Sequence, residues 1–145
     1  MSKYDNICLE NQLCFPLYAC AKEVVRKYRK PLEALDLTYT QYIVMMVLWE
    51  FGSMCEGELG SKVHLDSGTL APLLKRLEKQ GKIRRLRQCD ERKLFIELTE
   101  EGLALRDEAL KIPAQMEGCI PLSCEELMTL RSLLKKAMDN MEFTK

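Results

Sequence analysis

A chain of 145 residues and 16.8 kDa has the size of one domain, since domains most often hold about 100–150 residues. Hydrophobic residues at 47% and charged residues at 30% exclude a disordered chain, and 22 basic against 22 acidic side chains exclude binding to nucleic acid through bulk charge. No apolar run approaches the roughly 18 residues of a membrane span, and Met1 to Ile7 has no apolar signal segment. A cytoplasmic location is expected, with no membrane partner.

The first element is a helix. Leu13, Leu17, Ala21, Val24 and Tyr28 recur at spacings of three and four, and Pro31 is expected to end the run. Thr38-Tyr39-Thr40-Gln41 has the form of a capping box, opening an apolar helix from Tyr42 to Phe51 that closes at Gly52. Two short amphipathic segments follow. Glu56 to Val63 turns inward through Leu59 and Val63, and His64 to Gly68 is a turn in which Asp66 or Ser67 can cap the next helix. That helix carries Leu70, Leu73, Leu74 and Leu77 on one face and Ser67, Thr69, Pro72, Lys75, Arg76 and Lys79 on the other, and Gly81 closes it. Two short helices around a tight turn, the second with a basic outer face, predict a helix-turn-helix.

Behind Gly81 the period changes to two. Ile83 to Arg87 and Leu94 to Leu98 read as strands around the polar tip Gln88-Cys89-Asp90-Glu91-Arg92, a hairpin placed as the wing of a winged helix. A helix opening at Thr99 and interrupted at Pro113 comes next. The last helix opens at the capping box Ser123-Cys-Glu-Glu126 and has an apolar stripe from Leu127 to Met141. The expected fold is mainly α with a small β-hairpin. It is a single domain over 1–145, with a winged helix at about 38–99 and N- and C-terminal helices (about 9–30 and 100–142) forming a dimerisation region.

Charge is gathered locally. Lys75 to Lys93 hold nine basic and three acidic residues, a net of +6 that leaves −6 elsewhere. On a helix-turn-helix plus wing, this pattern predicts double-stranded DNA as partner. Ser67, Thr69, Pro72, Lys75 and Arg76 are candidates for the major groove, with Arg84 and Arg87 on the basic hairpin. Arg92 is the minor-groove candidate, and Asp90, two residues away, is placed to hold its guanidinium in one orientation.

Seven cysteines, no Cys-x-x-Cys and a single histidine give no zinc-site spacing, so no metal and no cofactor are expected. The default for such thiols is a small buried hydrophobe; Cys8, Cys20, Cys55 and Cys89 are given no special role, with Cys89 expected to be exposed at the wing tip.

The wing sequence Asp90-Glu-Arg92-Lys-Leu-Phe-Ile-Glu-Leu98-Thr99 resembles the signature of the MarR family of dimeric winged-helix regulators. Leu13-Cys14-Phe15-Pro16-Leu17-Tyr18, Leu37-Thr38-Tyr39-Thr40-Gln41-Tyr42 and Leu65-Asp66-Ser67-Gly68-Thr69-Leu70 are similar to its OhrR branch, repressors that sense organic hydroperoxides. The resemblance implies a homodimer on a palindromic operator, an organic hydroperoxide as signal, and Cys14 as the peroxidatic thiol. It implies that Tyr28 and Tyr39 hydrogen-bond that sulfur, with Tyr18 beside the site, and that a resolving cysteine lies near the last inter-helix turn, where Cys119 and Cys124 both fall. Pro16 either sits in the first helical turn, leaving Cys14 near the positive helix end, or kinks a helix begun earlier. Two other functions fit the sequence. One is a regulator of the same fold gated by a small aromatic ligand, and the other is a thiol peroxidase using Cys14, which would leave the basic wing without purpose.

Overall fold

The computed structural model describes residues 1–87 and 93–143. Two 3-10 turns, Asp5–Ile7 and Leu9–Asn11, lead into helix α1, Cys14–Glu33. Helix α2 is Tyr39–Phe51, strand β1 is Met54–Cys55, helix α3 is Glu56–Val63 and helix α4 is Ser67–Lys79. Strands β2, Ile83–Arg87, and β3, Leu94–Leu98, precede helices α5, Glu100–Ala109, α6, Ile112–Gln115, and α7, Cys124–Asn140.

The polar ends of these helices are closed as the sequence dictates. Thr38 and Gln41 form the capping box of α2, Thr99 accepts from the Gly102 amide at α5, and Ser123 with Glu126 caps α7. Asp66 is the α4 cap, its carboxylate accepting the Thr69 N–H at 2.7 Å, and those bonds hold its acid below the usual carboxylate range. Gly52 and Gly81 take φ of +78° and +76° behind α2 and α4, where a side chain would strain the turn.

Pro31 does not end α1, which runs two residues further. A proline in the last turn removes only one ladder bond, and the fully buried Leu32 anchors the turn beyond it. The hairpin is part of a three-stranded antiparallel sheet ordered β1-β3-β2, with Met54 opposite Ile96, Leu86 opposite Phe95 and Ile83 opposite Leu98.

One core binds α2, α4 and the sheet. Val44, Met45, Leu48, Leu59, Leu70, Leu74, Leu77, Ile83 and Ile96 are each at most 1% exposed, and each such side chain contributes about 1.5–3 kcal/mol by leaving water. The junction behind α4 is polar and closely fitted. A Cβ on Gly102 would lie 1.9 Å from the Lys82 carbonyl oxygen, so only glycine lets α5 start there. The Trp49 indole donates to the Gly102 carbonyl at 2.9 Å, and the Thr99 amide donates to that of Lys82 at 3.2 Å.

The two ends of the chain contrast with this core. No residue of α7 is buried, and Leu13 at the N-cap of α1 and Phe15, Leu17 and Tyr18 on it are exposed, as are Met128, Leu133 and Met138 on α7. Among the described residues, no helix is long and apolar enough to cross a membrane.

Candidate functional site

Helix α4 buries Leu70, Leu74 and Leu77 and exposes Ser67, Thr69, Pro72, Lys75, Arg76 and Lys79. Its outward face is therefore the one expected. Pro72, in its second turn, has no N–H for the Gly68 carbonyl. The helix is fixed to the hairpin by Glu78, whose carboxylate accepts the Arg85 amide at 3.0 Å and its Nε and Nη2 at 3.1 and 3.0 Å. Those Arg85 bonds hold the Glu78 acid below its ordinary value.

Not all of the local positive charge faces outward. Arg85 is committed to Glu78, and Arg84 lies 3.6 Å from the Glu97 carboxylate. Lys82 is only 8% exposed. Its Nζ donates to the Leu35 carbonyl at 2.9 Å, the Asp36 carbonyl at 2.7 Å and Gln80 Oε1 at 3.4 Å. Burial pushes this ammonium below lysine's usual pKa, and the Asp36 charge opposes the shift. Lys75, Arg76, Lys79, Arg84, Arg87 and Lys93 remain as the exposed cations of the described basic surface, Arg84 with its loose Glu97 partner. Asp90 and Arg92, with Cys89, lie outside the described residues.

A groove of about 870 Å³ lies at the α3–α4 turn, lined by residues that include Cys55, Ser61, Leu65, Ser67 and Lys93. The Phe143 ring stacks on His64 at its edge, with centroids 3.9 Å apart. His64 itself is the left-handed end of α3, with φ of 55°.

The second region is the thiol one. Cys14 is the first residue of α1 and is exposed, and Pro16 sits in the same first turn, so the thiol stands near the positive end of the helix. Because α1 runs unbroken through Tyr18, the Cys14 and Tyr18 side chains share a face. Tyr28 and Tyr39 are half-buried and in contact, their rings tilted by 39° with centroids 4.7 Å apart, and Tyr42 lies 5.9 Å from Tyr28. Burial, then the neighbouring Tyr39, Tyr42 and Cys119, raise the Tyr28 pKa, and burial raises that of Tyr39. Both phenols therefore remain O–H donors at neutral pH.

Cys119 packs half-buried against the core beside these rings, and its carbonyl accepts the Lys27 ammonium at 3.1 Å. Cys124 is the exposed first residue of α7. Cys14 is not brought to the tyrosines within the chain, because fourteen residues of α1 separate it from Tyr28, about 21 Å at 1.5 Å per residue. The expectation of buried bystander thiols also fails, since Cys20 is exposed and Cys8 and Cys55 are only half-buried. α1 turns the Cys20 face away from the core, leaving it in the uncovered apolar surface.

Sequence reasoning missed the roles of Glu78, Gln80 and Lys82. The one signal available was the break of the basic run by a Gly81 turn, which brings residues on its two sides together. Among the described residues, no three metal-capable side chains come together.

Comparison with known proteins gives consistent matches. Residues 26–109 match the family model described as transcriptional regulator SarA/Rot. The chain is 42% identical over 141 residues to the organic hydroperoxide resistance transcriptional regulator of Bacillus subtilis, covering 97% of this chain and 96% of that one. It is similar to reduced AbfR of Staphylococcus epidermidis bound to DNA, with a TM-score of 0.79, 32% identity and coverage of 95% and 97%. Against the disulfide form of AbfR the TM-score is 0.62 at the same identity and coverage.

Proposed function

Because the chain belongs to the SarA/Rot family of MarR-type winged-helix transcriptional regulators, we propose that it is a cytoplasmic dimeric repressor that releases its operator when an organic hydroperoxide oxidises Cys14. The observation that carries this reading is the separation of two half-sites along one rigid helix. Cys14 stands thirteen residues before Lys27, whose ammonium binds the Cys119 carbonyl, so the two ends are about 20 Å apart. A sulfur at the first end meets Tyr28, Tyr39 and Cys119 only if a second copy supplies it. The uncovered apolar faces of α1 and α7 are the surfaces through which two copies would pair, and two-fold pairing is the commonest closed assembly.

The chemistry follows from the thiol. Cys14 thiolate attacks the O–O bond of the hydroperoxide, an S–O bond forms, and the alcohol leaves after taking a proton, so the sulfur is oxidised to sulfenic acid and the peroxide reduced. The Tyr28 and Tyr39 hydroxyls are the donors available to hold the sulfur in the dimer. Attack by the partner's thiol then forms the disulfide and releases water. Cys119, beside the tyrosines, is the better resolving candidate, and Cys124 is the other. Closing that bond brings Cα atoms within about 7 Å, which pulls α1 and shifts the spacing of the two α4 helices. The chain is less like the disulfide form of AbfR than its reduced and overoxidised DNA-bound forms, so the disulfide step, rather than oxidation of the sulfur alone, is the one to which we assign the change of shape. One hydroperoxide is consumed per thiol switched, which is signalling rather than enzymatic turnover.

On DNA, α4 enters the major groove with Ser67, Thr69, Pro72, Lys75 and Arg76 toward bases and phosphates. The hairpin brings Arg84 and Arg87 to the backbone. Half-sites about one helical turn apart, roughly 10 base pairs, follow for a two-fold dimer. Gel retardation with and without cumene hydroperoxide tests the reading, with release expected for the parent and retention for Cys14→Ser. Absence of DNA binding at every salt concentration overturns it, and release by a phenolic ligand but not by peroxide favours the ligand-gated regulator.

A further inference from the structure

We propose that Lys82 is the positioning residue through which movement of α1 reaches the recognition helix α4. The inference rests on the redox reading above and supplies the connection that reading leaves open. Cys14 lies at the first residue of α1, whereas the DNA-facing residues lie on α4, and something must tie the far end of one to the other.

The tie lies where α1 ends. Leu35 and Asp36 follow its last turn, and the Leu37 amide reaches back to the Leu32 carbonyl at 3.2 Å, closing the turn with Asp36 at φ of 51°. The Lys82 ammonium donates to both the Leu35 and Asp36 carbonyls, and the Gln80 amide donates to the Asp36 carbonyl at 3.3 Å and its carboxylate at 3.1 Å. Gln80 and Lys82 are the residues on either side of the Gly81 turn that terminates α4. The end of α1 is thus bonded to the end of α4 by one buried cation and one amide. The main chain of Lys82 is held in turn by the Thr99 amide and the close approach of Gly102, so the ammonium stem cannot drift when α1 pulls.

A buried lysine without a carboxylate in contact is costly to desolvate, and packing alone would be served by methionine of similar volume. What the cation adds is direction. Its donors fix two successive carbonyls at once, so a displacement of the α1 end is carried to the α4 end rather than absorbed in the loop.

The test uses the full chain and a duplex enriched from a random library by the reduced parent. Gel retardation gives Kd before and after cumene hydroperoxide, and non-reducing gels give the extent of cross-linking. For the parent the ratio of oxidised to reduced Kd is expected within the about 5–150-fold range of allosteric couplings. In Lys82→Met the ratio should fall to about 2 or less, with the covalent dimer formed as in the parent. A purely structural lysine would weaken both states by one factor, and an unchanged ratio in Lys82→Met overturns the proposal. Should Lys82→Met not fold by circular dichroism, Gln80→Ala, at a half-exposed position, is read the same way, with a reduced ratio supporting the link and an unchanged one refuting it. A parent whose affinity ignores oxidation overturns the function proposed above, and the link with it.

Discussion

Mixed dimers test the half-site geometry most directly. Take one chain with Cys14→Ser and another with Cys119→Ser, mix them in equal amounts, allow subunit exchange, and add hydroperoxide. Within a chain, α1 rises by thirteen residue steps from Cys14 to Lys27, the residue bonded to Cys119, about 20 Å, far beyond the roughly 7 Å between Cα atoms that a disulfide tolerates. Any Cys14–Cys119 bond therefore joins subunits. Each mutant alone lacks one partner everywhere and should give no covalent dimer. A mixed dimer keeps one complete pair, and random exchange makes about half of the dimers mixed. About half of the material should then run as covalent dimer on a non-reducing gel, against nearly all for the parent, with peptide mapping placing the bond. No cross-link in the mixture, together with an oxidised monomer in the parent, would refute the reasoning. A covalent dimer from Cys119→Ser alone that vanishes in Cys119→Ser/Cys124→Ser assigns the resolving role to Cys124.

Three other expectations follow from the geometry. Gly102→Ala drives a Cβ into the Lys82 carbonyl, so urea unfolding followed by circular dichroism should show a loss of about 2–3 kcal/mol or more; a loss under 0.5 kcal/mol would mean that α5 is not held there. Arg76→Ala removes an exposed α4 cation and should lower the slope of log Kd against log salt by roughly 1 if it meets a phosphate, an effect absent if the face is not the DNA surface. Because Arg85 depresses the Glu78 pKa from 4.5, the pair contributes stability that is present above the unfolded value and lost as pH falls through the folded one. Acid titration of Glu78→Gln should accordingly show a shallower loss of stability below about pH 4.5 than the parent, and superimposable curves would contradict the ion pair.

The winged helix was legible because its determinants are local. Strand periodicity reproduces the bounds of β2 and β3, and the cap residues Thr38, Asp66, Thr99 and Ser123 each stand where a helix begins. β1 was missed because two residues cannot display a period. The resemblance to MarR-type regulators is borne out by sequence and fold relatives. The thiol site was legible only as a set of residue types. That Cys14 and Tyr28 lie far apart on one rod is a property of helix rise, and the meeting proposed for them requires a second copy. Counting charge overstated the outward basic surface, since burial of Lys82 and the Glu78 partner of Arg85 depend on how α4, β2 and the α1–α2 loop meet.

Trp49 is the single tryptophan of the chain, and its indole N–H is bonded to the Gly102 carbonyl beside Lys82. It also terminates a row of rings, for Tyr42 lies edge-on to it at 6.4 Å, Tyr28 is 5.9 Å from Tyr42, and Tyr39 is 4.7 Å from Tyr28. Light absorbed by these tyrosines passes to the indole by resonance transfer over such spacings, so emission at Trp49 collects a signal originating at Tyr28 and Tyr39. Rearrangement of Tyr28 and Tyr39 would change the transfer yield, while loosening of the Gly102 bond would shift the emission maximum. Two channels of one intrinsic fluorophore can thus time any rearrangement of Tyr28 and Tyr39 and any response of the α5 junction separately, with no label attached.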